Sequence, residues 1–162
     1  MASRETLFLK ANVESQLNRL LTQLQDIEDS KADLDDSEYN EMKSQTIADL
    51  SVFETSLRRL MEGDVTLVDQ LSSVQMAIQA AIRQAFKTPE VIRMFARKEP
   101  VALRSRLGNI EGDRRLGRIS EESYNIQASE ILLALQNLGE VVCDLNASFE
   151  FYISYLLLNE IC

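Results

Sequence analysis

Val13, Leu17, Leu20, Leu24 and Ile27 recur at alternating steps of four and three, which places them in one stripe along a helix. The stripe is a heptad seam. Its next two positions are Lys31 and Leu34, and it frays across residues 26–36, where five Asp and one Glu crowd the chain. About two and a half apolar heptads are too few for a long free-standing coiled coil.

A second helix is predicted to open near Asp35, with Glu38 three residues on in capping-box position. Its apolar face runs through Tyr39, Met42, Ile47, Leu50, Phe53, Leu57, Leu60 and Met61. Two such stripes joined by a short polar turn read as an antiparallel hairpin, because each can bury the other within one chain. The alternative is pairing between two chains through the first stripe. Gly63-Asp64 ends the second helix, and Thr66 with Asp69 has the spacing of a capping box for a third, running to about Phe86. Within it, Met76-Ala-Ile-Gln-Ala-Ala-Ile82 is rich in small and aliphatic residues and is expected to be the most closely packed part of the core.

Thr88-Pro89-Glu90 restarts the chain as a short helix through Val91, Ile92 and Phe95, and Glu99-Pro100 punctuates it. Residues 101–119 read as basic and partly helical, with Leu103, Leu107 and Ile110 in a stripe that Gly108, Gly112 and Gly117 weaken. Ser120 with Glu121 and Glu122 opens another helix, in which Tyr124, Ala128, Ile131, Leu135 and Leu138 recur until Gly139 stops it. The final apolar run, residues 149–158, is too short and interrupted to span a bilayer in the ordinary way. It reads as a buried helix or strand, or as a surface for a hydrophobic partner. The pattern is therefore all-α: an N-terminal antiparallel hairpin packed with a central helical region over 1–118, then a further helical segment over 119–162.

Composition supports a packed chain. Of 162 residues, 45% are hydrophobic and 27% charged, with five Gly and two Pro, too apolar and too poor in breakers for disorder. The first ten residues, MASRETLFLK, lack the apolar run of a signal peptide, which predicts a cytoplasmic or nuclear protein. Cys143 and Cys162 would staple nothing in the first 142 residues and read as reduced thiols. Asn146-Ala-Ser148 then reads as a chance match to a glycosylation acceptor.

The net charge of -9 is unevenly spread: residues 1–63 carry -6, residues 64–119 carry +4 and residues 120–162 carry -7. The acidic total argues against a dedicated nucleic-acid binder. The basic middle places Arg93 with Arg97, and Arg114 with Arg118, on shared helix faces, with Arg104 between them. Those ridges leave open a weak contact with nucleic acid or anionic lipid, although the aromatic interleaving of a single-strand binder is missing.

Reactive chemistry is not written into the chain. No histidine is present, which removes the side chain best suited to proton exchange near neutral pH and the commonest metal ligand. Asp33, Asp35, Asp36 and Glu38 lack the spacing of a Ca²⁺ loop and read as a solvated turn. Cys143 follows Val141-Val142 and reads as an incidental thiol. No catalytic residue, metal or cofactor is expected.

Three blocks, Thr66-Leu-Val-Asp-Gln-Leu71, Met76-Ala-Ile-Gln-Ala-Ala-Ile82 and Gln84-Ala-Phe-Lys-Thr-Pro-Glu-Val-Ile-Arg93, carry a resemblance that extends upstream through the seam and downstream to about Glu140. They resemble members of the family of the inhibitor of beta-catenin and Tcf, ICAT, that carry a leucine-zipper-like stripe ahead of the ICAT-like part. The resemblance implies a small helical protein that occupies the armadillo-repeat surface of beta-catenin and keeps Tcf factors and coactivators from it. The positions similar to the family's helical entry motif are Tyr124, Gln127, Glu130, Ile131, Leu132, Leu135, Leu138 and Gly139. Beyond about Glu140 the sequence departs from the family pattern: the 149–158 run replaces the expected continuation of the small helical bundle, and the family's extended acidic tail is missing, so the chain reads as a divergent or truncated member.

The reading is thus a non-enzymatic, intracellular protein-binding module that engages beta-catenin or another armadillo-repeat protein through residues 120–140. The alternatives are a self-associating coiled-coil module and the weak phosphate binder described above.

Overall fold

Among residues 3–140, which the computed structural model describes, the chain forms six α-helices and no strand. The residues around Cys143, Asn146, Cys162 and the 149–158 run lie outside them. The chain divides into two compact units, Met1–Lys98 and Glu99–Cys162.

The first unit begins with α1 (Arg4–Asp29), whose entry is fixed by the Ser3 hydroxyl accepting the Thr6 N–H at 3.1 Å. The acidic stretch after α1 becomes a turn, and α2 (Asp36–Met61) starts on a full capping box. The Glu38 N–H donates to the Asp35 carboxylate at 2.8 Å, while the Asp35 N–H donates back to Glu38 at 3.5 Å. The two helices run antiparallel. Tyr39, near the start of α2, meets Glu28 near the end of α1, and Leu60 at the far end of α2 shares a groove with Leu9.

Gly63, at φ +79°, turns the chain into α3 (Val65–Ile82). The cap of α3 is Asp64, whose carboxylate accepts the Leu67 N–H at 3.1 Å, and not Thr66 as the spacing suggested. An Asp cap offers a charged acceptor two residues earlier, at the positive end of the helix. The helix also ends at Ile82, short of Phe86. Gln84 adopts φ +58°, and the N–H groups of Ala85 and Phe86 both return to the Ala80 carbonyl, at 2.9 and 3.2 Å. This close tucks Phe86 into the core, edge-on to Phe95 with ring centroids 5.1 Å apart. Phe95 belongs to α4 (Pro89–Ala96), where Thr88 and Pro89 stand at the N-cap and first helical positions.

α3 packs against α2, α1 and α4, and α4 also reaches α1. Leu21, Leu50, Leu71, Val74, Ala77 and Ile78 are fully enclosed, and each large side chain so buried contributes about 1.5–3 kcal/mol. Of the block predicted to pack most closely, Ala77, Ile78 and Ala81 are buried, but Met76 lies exposed. The Ser73 hydroxyl donates to the Ala96 carbonyl at 2.8 Å, satisfying a helix-end acceptor inside the core.

The second unit contains α5 (Pro100–Arg115) and α6 (Glu121–Asn137), which pack on each other. α5 is a continuous helix where the glycines had predicted a partly helical segment. Gly108 and Gly112 each weaken a helix by about 1 kcal/mol relative to alanine, a cost that packing of Leu103 and Ile110 exceeds. Gly117, at φ +69°, closes α5: its N–H donates to the Arg114 carbonyl at 3.0 Å and that of Arg118 to Asp113 at 2.9 Å. Gly139, at φ +80°, closes α6 the same way, through Gln136 and Leu135.

Candidate protein-binding segment

The α5/α6 hairpin holds most of the residues singled out for partner contact. Ser120 starts α6 by accepting the Ser123 N–H at 3.1 Å, and Glu121 and Glu122 occupy the first turn at the positive helix end. One face of α6 is then committed inward. Tyr124, Ala128, Ile131, Leu132, Ala134 and Leu135 are buried, and so is Glu130, whose carboxylate is partnered. Gln127 and Leu138 are half-buried, and the Gln127 amide donates to Ser123 at 3.0 Å. The exposed positions of α6 are instead Glu121, Glu122, Ile126, Gln136 and Asn137.

Arg114 clamps the two helices. Its guanidinium lies 4.4 Å from the Tyr124 ring centroid and donates to Glu121 at 3.0 Å. Around it, Arg115 donates to Glu111 at 2.7 Å, Arg118 pairs with Asp113 at 3.3 Å and Arg104 pairs with Glu140. Arg104, Arg114, Arg115 and Arg118 are therefore matched to carboxylates of their own unit. In the first unit Arg93 donates to the Thr22 hydroxyl at 3.2 Å, tying α4 to α1, while Arg97 is exposed. The seam residues Val13, Leu17, Leu20, Leu24 and Ile27 are all buried in that unit, on the side of α1 that meets its neighbours.

Residues 110–149 match the family model for beta-catenin-interacting protein ICAT. That segment of the chain is ICAT-like. It takes in the last six residues of α5 and all of α6, about a quarter of the chain, and its last nine residues lie outside the described ones. No solved structure matches the chain. Within the ICAT-like segment the Arg114, Glu121 and Tyr124 cluster is the contact that joins the two helices, and sequence periodicity did not reveal it. The signal available was the i, i+10 placement of a cation and an aromatic across a glycine turn, which is too common to single out.

Among the described residues no group of three or more Cys, Asp or Glu side chains is placed to hold a metal ion. No helix among them is long and apolar enough to cross a membrane. The acidic turn that lacked Ca²⁺-loop spacing is used for capping by Asp35 and Glu38. Two perturbed carboxylates stand in the first unit, both in interhelical contacts. Glu54 is held below the usual carboxylate range by the Arg58 guanidinium at 2.7 Å, against the opposing effect of burial, with amides from Gln75 and Gln79 assisting. Burial alone would raise Glu28, but hydrogen bonds from Lys43 and Tyr39, each at 2.8 Å, outweigh it and hold the group low. These are the electrostatics of a scaffold. Glu28 is satisfied across the hairpin by α2, and Glu54 by Arg58 of its own helix with two amides from α3.

Proposed function

We propose that the chain is a non-enzymatic binding protein whose ICAT-like segment engages the armadillo repeats of beta-catenin and so modulates Tcf-dependent Wnt signalling. The observation that carries this reading is that the match to the beta-catenin-interacting family takes in the end of α5 and the whole of α6, two helices that pack on each other. The physical chemistry of α6 supports it. Its 17 residues include no Lys or Arg, and Glu121 and Glu122 are exposed at its start, so it suits a basic groove whose opposite potential speeds encounter and sets orientation.

The burial pattern says how a binding test must be built. Ile131 and Leu135 hold the hairpin, so an acidic substitution there would report on folding. Ile126 is exposed, and Ile126→Asp together with Glu122→Lys changes the surface while leaving the core intact. Titration of purified beta-catenin armadillo repeats with the full chain is expected to show binding that this double variant weakens about tenfold or more with unchanged helicity. Absence of binding by the unmodified chain rejects the reading.

A further inference from the structure

The α1/α2 hairpin has two sides. One is closed by α3 and α4; the other carries two shallow hollows, of about 620 and 520 Å³. On α1 the hollows are lined in turn by Leu9, Gln16, Gln23 and Asp26, and on α2 by Leu60, Phe53, Asp49 and Glu41. On each helix the lining residues recur at steps of three and four, so the two hollows follow one another along one face of the hairpin. The 17 steps from Leu9 to Asp26 give this face a length of about 25 Å, a little under five turns of a helix.

Both hollows have apolar lining and differ in charge. In the first, Val52 is 68% and Leu60 40% exposed, beside Leu9 and Phe53; in the second, Met42 is 46% exposed beside Ile27. The second is also acidic. Asp26 and Glu41 line it, neither forms an ion pair among the described residues, and Asp49 stands between the two ends with a hydrogen bond only from Gln45. Arg19 is the one base among the lining residues, and residues 1–63 as a whole carry -6. Elsewhere in the unit, acids that face another helix are neutralised, as Glu54 is by Arg58 and Glu28 by Lys43. On the open side Asp26, Glu41 and Asp49 have no such cation among the described residues.

We infer that this face is a docking groove for a basic amphipathic helix of another protein, seated lengthwise between α1 and α2. Apolar side chains spaced three and four apart would fill the Leu9, Val52, Phe53 and Leu60 end, and Lys or Arg further along would meet Asp49, Asp26 and Glu41. A second copy of this chain is a poorer occupant, because an acidic groove repels its own acidic twin. The groove lies wholly in the first unit, so it stands or falls independently of the ICAT-like segment.

The test uses the full chain and three labelled synthetic peptides of 18 residues: a helix with four leucines at three–four spacing flanked by lysines, its glutamate twin, and a scramble of the lysine peptide. Fluorescence anisotropy should show the lysine helix binding about tenfold or more tighter than either control. Val52→Glu should weaken it despite adding negative charge, and Asp26→Lys should weaken it more than Asp69→Lys, a matched charge change outside the groove. Equal binding of the three peptides, or equal effects of the two aspartate variants, overturns the proposal. So does a dimer in sedimentation that Val52→Glu dissolves, which would make a second copy the occupant. The peptide comparison on the unmodified chain decides the matter even if a variant fails to fold.

Discussion

Gln79 of α3 donates its side-chain amide to the Glu54 carboxylate of α2 at 3.2 Å, across the packing face of the two helices. Gln75, one turn earlier on α3, donates to the same oxygen at 3.1 Å, and Arg58 covers the other oxygen at 2.7 Å. A carboxylate in a helix interface is tolerated because both its oxygens are hydrogen-bonded and its charge is paired.

Glu54→Ala is therefore expected to cost about 1–2 kcal/mol in chemical denaturation at pH 7, since two half-buried amides lose their acceptor. The pH dependence has a definite sign. The folded-state pKa of Glu54 lies below its ordinary value of 4.5, so the stabilisation is complete above 4.5 and is lost as pH falls through the lower folded value. The stability gap between the wild type and Glu54→Gln should shrink on going from pH 7 to pH 3. A gap that stays constant would mean that ionisation of Glu54 contributes nothing.

Tyr39 closes the other end of the hairpin. Its hydroxyl donates to Glu28 at 2.8 Å, and Lys43 reaches both groups while lying 5.3 Å from the ring centroid. Tyr39→Phe keeps the ring and removes the hydroxyl, and should cost about 0.5–1.5 kcal/mol by urea denaturation. The cluster is partly solvated, so the loss should lie toward the lower figure.

Much of this architecture was legible from spacing. The seam from Val13 to Ile27, the Asp35 and Glu38 cap, the Ser120 cap and the Gly139 stop all follow from local rules, because each is decided within a few residues of itself. Apart from the α3 cap, which moves locally from Thr66 to Asp64, the misses are cases where tertiary packing decided. Gly108 and Gly112 lowered the helical reading of residues 101–119, but burial of Leu103 and Ile110 against α6 outweighs their cost. Phe86 looked like helical continuation and instead caps a core. Periodicity likewise gives the apolar side of α6 but not what covers it, so Ile131 and Leu135 read equally well as core or as partner surface.

Gln84 offers a stabilising change. It occupies the left-handed position that ends α3, with its N–H donating to Ala81 at 3.1 Å, a place that favours glycine. Gln84→Gly relieves the side-chain cost at φ +58° and should raise stability by about 0.5–1 kcal/mol, partly offset by the greater freedom of the unfolded chain. A fall in melting temperature would show that the Gln84 side chain makes a compensating contact.

Leu17 distinguishes a seam that serves its own chain from one that pairs two chains. It is 2% exposed in the centre of the α1 stripe, on the side that meets the other helices of the first unit. Leu17→Ala should destabilise the protein by about 2–5 kcal/mol through lost burial and the void left behind. If the stripe is satisfied within one chain, the denaturation midpoints of wild type and variant should be the same at one and at fifty micromolar protein, since mass action enters only when subunits separate on unfolding. A midpoint that rises with concentration in the wild type and not in the variant would show the stripe pairing between chains, and the intrachain hairpin would then be the wrong account of how it is buried.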